Sequence, residues 1–415
     1  LSLSGSVLGL DNALTQAAGI TLSADALSHH SGRMIHNGNG LMRLEITGRF
    51  DNQHGEVFSK GALSLTAAAL DNRQGQLIAT GDTTLQLLPG GELNNRAGII
   101  AAGRELTSLS DAVDNRGGLI QSGAALTLNS RGHALLNTDS GDQGGIISDG
   151  SIKLITGDID NHNGLIAAKS LTATSGAFNN QAGKWLIQQA LSLNSGALNN
   201  QAGLLQSGGN LDLTTHNQPV DNHSAGQMIA TGELAIHSGE LDNRNGNILS
   251  RGEASLQTSL FNNNDGQLSA QGHLSLSGRS IQNNDGGLIR SAKDLLIDTH
   301  GALLSNQRSG DTGGIISQGN LTLNTGALEN TQGTIISSRD MTLTTATVDN
   351  QQGLLASGEA MTVITGAPGN PPPALPAGQT SPELMPPSLD NRQGHIRSLG
   401  NMVLSVAQSV LDNSA

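Results

Sequence analysis

Short runs of alternating apolar and polar residues follow one another along this chain, separated by turns rich in glycine and asparagine. The segment 75–87 is representative: Leu77 and Ile78 are followed by a small residue and a second glycine, and Leu85 and Leu87 then lie at alternate positions. Alternation with a period of two is typical of β-strands, whose successive side chains point to opposite faces. With 55 glycines spread through the sequence, no window favours a stable helix.

A marker recurs in the turns: Asp-Asn or a close substitute, a glycine three residues after the Asn, and then two aliphatic residues. Clear copies begin at Leu70, Val113, Leu241 and Val348. Periods of about 20 residues predict a solenoid, in which each repeat stacks on its neighbours to bury its apolar side. A degenerate copy, 27–32, fills the gap before Asn52. The marker asparagines are Asn12, Asn52, Asn72, Asn95, Asn115, Asn137, Asn161, Asn180, Asn200, Asn222, Asn243, Asn263, Asn283, Asn306, Asn330, Asn350, Asn391 and Asn413.

The pattern within each repeat distinguishes between solenoid classes. Leucine-rich repeats have a similar length, but their Asn follows the aliphatic residues and a helix completes the repeat. At about 3.3 Å per residue, a coil of about 20 residues has a perimeter near 66 Å, enough for three short strands around an aliphatic core. We therefore predict an all-β fold, a parallel β-helix of roughly eighteen coils. The small number of aromatic residues, with no Tyr, one Trp and four Phe, agrees with a narrow core.

The marker residues have predicted structural roles. Stacked Asn amides can bond to the Asn above and below as an internal ladder. The glycine is expected to supply a positive φ at the corner, and the Asp to bond the local turn backbone. The predicted ladder and turn residues are Asn52, Asn72, Asn95, Asn115, Asn161, Asn180, Asn200, Asn222, Asn243, Asn263, Asn350, Asn391, Gly55, Gly75, Gly98, Gly118, Gly246 and Gly353.

The sequence predicts one long array with a single interruption. Residues 1–366 form the repeat array, residues 367–388 form a proline-rich loop that leaves the coils, and residues 389–415 continue them. Proline lacks the N–H that a strand ladder needs, so the middle segment is expected outside the sheets. Without an initiator Met, a signal segment or an apolar run long enough for a membrane span, the chain is expected to be an internal segment of a larger protein.

Neither the composition nor the motifs of the sequence indicate a catalytic site or a binding site. There are no cysteines, and the net charge of −13 with scattered basic residues makes nucleic-acid binding unexpected. No catalytic, cofactor-binding or metal-ligating residues are predicted, because the Asp residues belong to the periodic marker and histidines such as His54, His162 and His223 occupy variable turn positions. The loops containing Asp142 and Asp311 carry one carboxylate each, too few for calcium. The alternative from a different class is a carbohydrate-active β-helix enzyme, a lyase or hydrolase.

The repeat Leu-Asp-Asn-x-x-Gly-x-Ile-x-Ser-x-Gly-x-Leu-x-Leu, present from Leu241 and again from Leu70, resembles the haemagglutinin repeats of filamentous haemagglutinin and its relatives. This resemblance covers almost the whole chain. It implies a right-handed β-helical stalk, with a structural role for the marker Asn and Gly residues and no catalytic residue.

The resemblance also implies a location and partners. These two-partner-secretion exoproteins of Gram-negative bacteria include adhesins, haemolysin-like proteins and contact-dependent growth inhibition toxins. The expected partners are a dedicated outer-membrane transporter and a receptor or glycan on a host or target cell, and the expected location is the cell surface or the medium. The choice between adhesin and toxin stays open, as does a passenger of a classical autotransporter.

Overall fold

The computed structural model describes residues 1–141, 143–366, 389–406 and 411–413. They divide into two compact units, unit 1 from Leu1 to Gly209 and unit 2 from Asn210 to Ala415. Both units are built of parallel strands, and no helix occurs among the described residues, so none is available to span a membrane. The predicted all-β solenoid of about 18 turns of about 20 residues is confirmed. The predicted proline-rich loop, 367–388, lies outside the described residues.

Each coil contributes three strands, one to each of three faces. In the coil that follows Asn52, face 1 is Glu56–Ser59, face 2 is Ala62–Ala67 and face 3 is Ala69–Asp71. Face 1 begins directly after the marker glycine, and face 3 ends at the residue that precedes the next marker asparagine. The marker therefore forms the corner between face 3 and face 1.

In unit 1 the first two strands of face 2, Ser2–Gly9 and Thr21–Ser28, continue into face 3 without a break. The other face 2 strands are Leu41–Ile46, Ala62–Ala67, Thr83–Leu87, Leu106–Leu109, Leu126–Asn129, Ser151–Ile155, Ser170–Thr174 and Leu191–Asn194. The face 1 strands are Leu14–Ala17, Arg33–His36, Glu56–Ser59, Gln76–Ala79, Ile99–Ala102, Leu119–Ser122, Gly145–Ser148, Leu165–Ala168, Lys184–Ile187 and Leu204–Ser207. The face 3 strands are Arg49–Asp51, Ala69–Asp71, Leu93–Asn94, Val113–Asp114, Leu135–Leu136, Ile159–Asp160, Phe178–Asn179 and Leu198–Asn199.

Unit 2 has the same three faces. Its face 1 strands are Gln227–Ala230, Asn247–Ser250, Gln267–Ala270, Leu288–Ser291, Gly314–Ser317, Thr334–Ser337, Leu354–Ser357 and His395–Ser398. Its face 2 strands are Leu211–Thr214, Leu234–His237, Ala254–Gln257, Leu274–Ser277, Leu295–Asp298, Leu321–Asn324, Met341–Thr345, Met361–Thr365 and Met402–Val406. Its face 3 strands are Val220–Asp221, Glu240–Asp242, Leu260–Asn262, Ser280–Gln282, Leu303–Ser305, Ala327–Glu329, Thr347–Asp349, Leu389–Asp390 and Leu411–Asp412.

Neighbouring coils pair in parallel register, so equivalent residues stack on one another. On face 1 of unit 1, Leu77 lies between Val57 of the preceding coil and Ile100 of the following coil, and all three are fully buried. The residues between these inward positions point outward, as the alternating sequence predicts. Each coil therefore repeats the core positions of the coil before it.

The aromatic residues lie in the core. Phe50, Phe178 and Phe261 are buried and occupy the position that Leu holds before the marker in other coils. Trp185 is fully buried between Ile166 and Leu205 on face 1, and its ring centroid is 4.6 Å from that of Phe178. The bulkiest side chain of the protein is thus accommodated within the stack.

The predicted positive φ of the marker glycine is wrong. The positive φ falls one residue earlier, on ordinary residues such as Ala97 (52°) and Gln74 (55°). Gly98 is needed for a different reason: a Cβ there would lie 2.1 Å from the Asn72 carbonyl oxygen and 2.7 Å from the Asn95 Oδ1. The glycine therefore permits the close approach of two coils. The same crowding surrounds Gly55, Gly75, Gly118, Gly246 and Gly353.

Two substitutions at adjacent residues test this correction. Gly98→Ala should destabilise unit 1, because the new methyl group forces the coils at Asn72 and Asn95 apart. Ala97→Gly should be close to neutral or stabilising by up to about 1 kcal/mol, because glycine adopts positive φ without the Cβ penalty. Chemical denaturation of both variants measures the difference. If Ala97→Gly destabilised unit 1 more than Gly98→Ala did, the result would contradict this correction and support a positive-φ role for the glycine.

Candidate functional site

In unit 1 the marker asparagines form a ladder of side-chain hydrogen bonds inside the stack. From Asn52 to Asn200 they are fully buried, and the Nδ2 of each one up to Asn180 donates to the Oδ1 of the marker asparagine one coil further on, at 2.7 or 2.8 Å. The ladder joins Asn52, Asn72, Asn95, Asn115, Asn137, Asn161, Asn180 and Asn200. The exposed Asn12 lies outside it.

Unit 2 contains a ladder of the same kind, with donor–acceptor distances between 2.6 and 2.8 Å. Asn350 donates directly to Asn391, although the two are 41 residues apart in the sequence. The ladder joins Asn222, Asn243, Asn263, Asn283, Asn306, Asn330, Asn350, Asn391 and Asn413. The structure thus brings all the predicted ladder asparagines into one or the other ladder.

Each ladder amide also bonds the backbone of the corner. The Nδ2 of Asn95 lies 3.2 Å from the Gly98 carbonyl oxygen and 3.1 Å from the Leu119 carbonyl oxygen, and its Oδ1 accepts from Asn72. The residue before the asparagine completes the turn: Asp51 Oδ1 accepts the backbone N–H of Gln53 at 3.0 Å. A buried amide whose donors and acceptor all have partners costs little to bury and fixes the corner conformation.

A histidine occupies the ladder position in the degenerate copy. His29 is fully buried, and its Nδ1 lies 2.7 Å from the Asn52 Oδ1. Because the Asn52 oxygen accepts, the histidine nitrogen donates. The other ring nitrogen, Nε2, has no hydrogen-bond partner among the described residues. Burial lowers the pKa of His29, and this exceeds the opposing effects of the Asn52 hydrogen bond and the Asp11 charge. Sequence alignment of the degenerate copy on the marker would have placed His29 here.

The corner carboxylates are held by arginines two residues further on. The pairs are Asp71–Arg73, Asp114–Arg116, Asp242–Arg244 and Asp390–Arg392, with Nη2–Oδ2 distances of 2.6 to 2.8 Å. Burial alone would raise the pKa of Asp71, but hydrogen bonds from the Arg73 side chain and backbone and the arginine charges lower it overall. A general acid needs the opposite shift. These carboxylates are therefore suited to holding the corner and poorly suited to proton transfer.

One group of side chains has the composition of a metal site. Asp221, His223 and Asp242 offer ligand atoms that lie within 4.8 Å of one another. Arg244, however, engages both oxygens of Asp242, with Nε 2.9 Å from Oδ1 and Nη2 2.6 Å from Oδ2. A cation would have to displace this guanidinium group, so we assign no metal to the cluster.

Face 2 of unit 2 carries a groove of about 540 Å³ at the C-terminal ends of its strands. We call it the histidine groove. It is defined by His216, His237, Gln257, Ser277, Arg279 and His300, which come from five successive coils. The volume falls in the range of ligand-binding clefts. Sequence reasoning missed the groove, although His237, Gln257 and Ser277 all lie six residues before a marker asparagine.

A second groove, of about 480 Å³, lies at the N-terminal ends of the same strands and is acidic. We call it the acidic groove; it is defined by Asp212, Glu233, Glu253, His273 and Asp294. Asp294 has a structural role there, because its Oδ1 accepts the backbone N–H of Asn320 at 2.8 Å. Face 2 of unit 2 therefore carries histidine and arginine side chains along one edge and mainly carboxylates along the other.

The ladder can be tested with two adjacent asparagines. Asn95→Leu removes the acceptor of Asn72 and the donor to Asn115, both buried, and should destabilise the neighbouring coils by about 1–3 kcal/mol. Native-state hydrogen exchange of the coils on either side is the measurement, since a long array need not unfold as one unit. The control is Asn94→Leu, because the Asn94 side chain is partly exposed and its Oδ1 accepts the Arg96 N–H at 3.2 Å. Equal losses in the two variants would contradict a specific ladder contribution.

The buried histidine predicts a pH dependence. The pKa of His29 is lowered from its ordinary value of 6.5, so the unfolded chain binds a proton at a higher pH than the folded chain. The stability that His29 contributes is therefore present above about pH 6.5 and is lost as the pH falls towards the folded-state pKa. Hydrogen exchange of the coils around His29 between pH 7.5 and pH 5 should report this loss. In His29→Asn the same coils should lose the pH-dependent component; an unchanged slope would contradict the assignment.

Comparison with known proteins places this geometry in a family. Searches of curated proteins and of solved structures find no match. The sequence model of the haemagglutinin repeat matches residues 1–88, 90–138, 132–182, 166–228, 219–307 and 279–364. These matches span most of the chain and include the ladder corners from Asn52 to Asn350. The chain therefore belongs to the haemagglutinin-repeat family and is an adhesin-like segment of the filamentous-haemagglutinin type.

Proposed function

We propose that the chain is a structural and adhesive stalk segment of a large secreted cell-surface protein of a Gram-negative bacterium. The observation that carries this proposal is the repetition of one coil, with the same ladder and the same corner, through each unit. Each added coil extends its unit by about 4.8 Å along the stacking direction without a new kind of contact. Such a design suits a spacer that holds a distal receptor-binding or toxin region away from the cell.

Export through a dedicated outer-membrane transporter is part of the proposal. Family membership supports it, because haemagglutinin-repeat proteins are typically secreted or held at the surface. The absence of cysteine from the sequence is consistent with passage as an unfolded chain, since no disulfide has to be prevented or reduced. Contact with a receptor or glycan on a host or neighbouring cell would then follow from the location.

A role without catalysis is also proposed. The family is typically one of non-enzymatic adhesins. Among the described residues, every carboxyl group whose pKa departs from its ordinary value has a lowered pKa, as Asp71, Asp114 and Asp242 do. That direction keeps these groups ionised at neutral pH and offers no support for the two-carboxylate chemistry of a glycoside hydrolase.

A spacer tolerates the removal of one complete coil. Deletion of residues 181–200 joins Asn180 to Gln201 and preserves the marker, because the two ladder asparagines are 20 residues apart. In the full-length protein, produced in a Gram-negative cell with its transporter, this variant should reach the surface and retain adhesion. Surface accessibility to an added protease and cell-binding counts are the measurements.

Deletion of residues 181–190 is the matched control, because it removes half a coil and destroys the register of all three faces. It should abolish stable folding of unit 1 and reduce surface display. Retention of the full-length protein inside the cell despite the transporter would contradict the secretion proposal. Normal display with complete loss of adhesion in the one-coil deletion would contradict the spacer role.

A further inference from the structure

One corner between face 1 and face 2 contains two consecutive Asn-Gly pairs. Residues 37–40, with the sequence Asn-Gly-Asn-Gly, join Arg33–His36 of face 1 to Leu41–Ile46 of face 2. The other Asn-Gly pairs of the sequence are Asn163-Gly164 and Asn245-Gly246, and both lie in marker corners. This dipeptide is prone to deamidation, because glycine has no side chain to shield its own nitrogen from the asparagine before it. The chain thus presents one reactive dipeptide in two structural settings.

The marker corners hold their Asn-Gly pairs in a fixed conformation. Asn163 and Asn245 have positive φ values of 50° and 53°. The glycine that follows each of them is buried, and its N–H donates to the carbonyl oxygen of the ladder asparagine, at 2.8 Å for Gly164 and 3.0 Å for Gly246. The glycine nitrogen is therefore engaged in the turn and cannot approach the side chain of the residue before it.

The other corner leaves the equivalent atoms free. Asn39 and Gly40 are exposed, and neither the Asn39 side chain nor the Gly40 N–H makes a hydrogen bond in the part of the chain that the structure describes. A Cβ on Gly40 would meet no atom within 4 Å. Gly38 is more confined, because a Cβ there would lie 2.0 Å from the Ala18 carbonyl oxygen. Asn39 is therefore better placed to react than Asn37.

We propose that Asn39 is a site of spontaneous deamidation, in which the Gly40 main-chain nitrogen attacks the side-chain carbonyl carbon of Asn39. The new N–C bond closes a cyclic imide, and the bond from that carbon to Nδ2 breaks. Nδ2 leaves as ammonia with the proton that the Gly40 nitrogen gives up. Water then opens the ring at either of its carbonyl carbons. One opening gives aspartate, and the other gives isoaspartate, in which the main chain runs through the former side chain.

The next coil packs closely on this corner, so the modification has a structural consequence. A Cβ on Gly61 would lie 1.9 Å from the Gly40 carbonyl oxygen and 2.7 Å from the Asn39 carbonyl carbon. The same Gly40 oxygen accepts the Ala62 N–H at 3.2 Å. Isoaspartate lengthens the main chain by one carbon–carbon bond, about 1.5 Å, and so displaces the Gly40 carbonyl from these contacts. Deamidation of Asn39 therefore weakens the face 2 pairing that begins at Ala62.

The reaction consumes only water and needs no enzyme. It proceeds on any folded copy of the chain at a rate that the corner sets, so the coil that carries Asn39 loosens with the age of the protein. This inference goes beyond the proposed stalk function and does not rest on it.

The experiment follows each Asn-Gly pair in the purified full chain during incubation at mildly alkaline pH, where the glycine nitrogen loses its proton more readily. Trypsin then releases both exposed pairs in residues 34–43 and the marker-corner pairs in residues 154–169 and 245–251. Mass spectrometry measures the conversion of amide to carboxyl in each peptide, and fragmentation of the first peptide distinguishes Asn39 from Asn37. A parallel incubation in concentrated denaturant removes the structure.

In the folded chain, Asn39 should convert at least about tenfold faster than Asn163 and Asn245. A tenfold ratio corresponds to about 1.4 kcal/mol of activation free energy, which the hydrogen bond and the fixed turn of the marker corners supply. In denaturant the three sites should convert at similar rates, because the dipeptide is the same at each. Isoaspartate formed at Asn39 should speed the hydrogen exchange of Ala62–Ala67.

Gly40→Ala is the matched variant, because the added methyl group hinders the attacking nitrogen and has open space around it. It should slow the conversion of Asn39 about tenfold or more. Gly19→Ala is its control: Gly19 lies in the same corner one coil earlier, also with no atom within 4 Å of a Cβ, and the rate at Asn39 should not change. If Gly40→Ala does not fold by circular dichroism, Asn39→Gln replaces it, with loss of the modification expected.

Three results would overturn the proposal. They are an unchanged Asn39 in the folded chain when the same peptide converts in denaturant, equal rates at Asn39 and Asn163 in the folded chain, and equal slowing by Gly40→Ala and Gly19→Ala. Unchanged exchange of Ala62–Ala67 after conversion would contradict the structural consequence. The measurement needs no transporter or cell, so its failure would leave the spacer and secretion proposal standing.

Discussion

The buried amide ladder is the constraint on which the rest of each unit depends. An Asn side chain with no exposure to water has to place its donor and its acceptor against protein atoms. Here the acceptor of one coil meets the donor of the preceding coil at about 2.7 Å, which a parallel stack with one Asn per coil provides. The spacing of the corners, the register of the coils and the need for the marker glycine all follow from that contact.

Much of the fold could be predicted from the sequence because the ladder repeats. Periodicity locates the corners, alternation locates the strands, and the short list of aromatic residues indicates a narrow core. The backbone of the corner could not be predicted in the same way. Ala97 and Gln74 have no intrinsic preference for positive φ, and they adopt it because the packed corner imposes it. Gly98 looked like the flexible residue, whereas the coil beneath it leaves no room for a Cβ.

The candidate site was harder to predict for a related reason. Residues that face outward escape the constraint of the ladder, so their residue types vary from coil to coil even at equivalent positions. The histidine groove depends on which outward residues the register places side by side on successive coils, such as His237 and Gln257. His29 is the opposite case, since its place in the degenerate copy is visible once the repeats are aligned.

The ladder bonds within each unit all point the same way, from the Nδ2 of the earlier coil to the Oδ1 of the later one. Their amide dipoles therefore add, and each stack has a direction, with acceptors facing the earlier coil and donors facing the later one. Within unit 1, His29 meets the acceptor end by donating from Nδ1 to Asn52. A stack of this kind can be lengthened by coils of the same sense at either end. Two such stacks cannot join through like ends, because donor would meet donor or acceptor would meet acceptor.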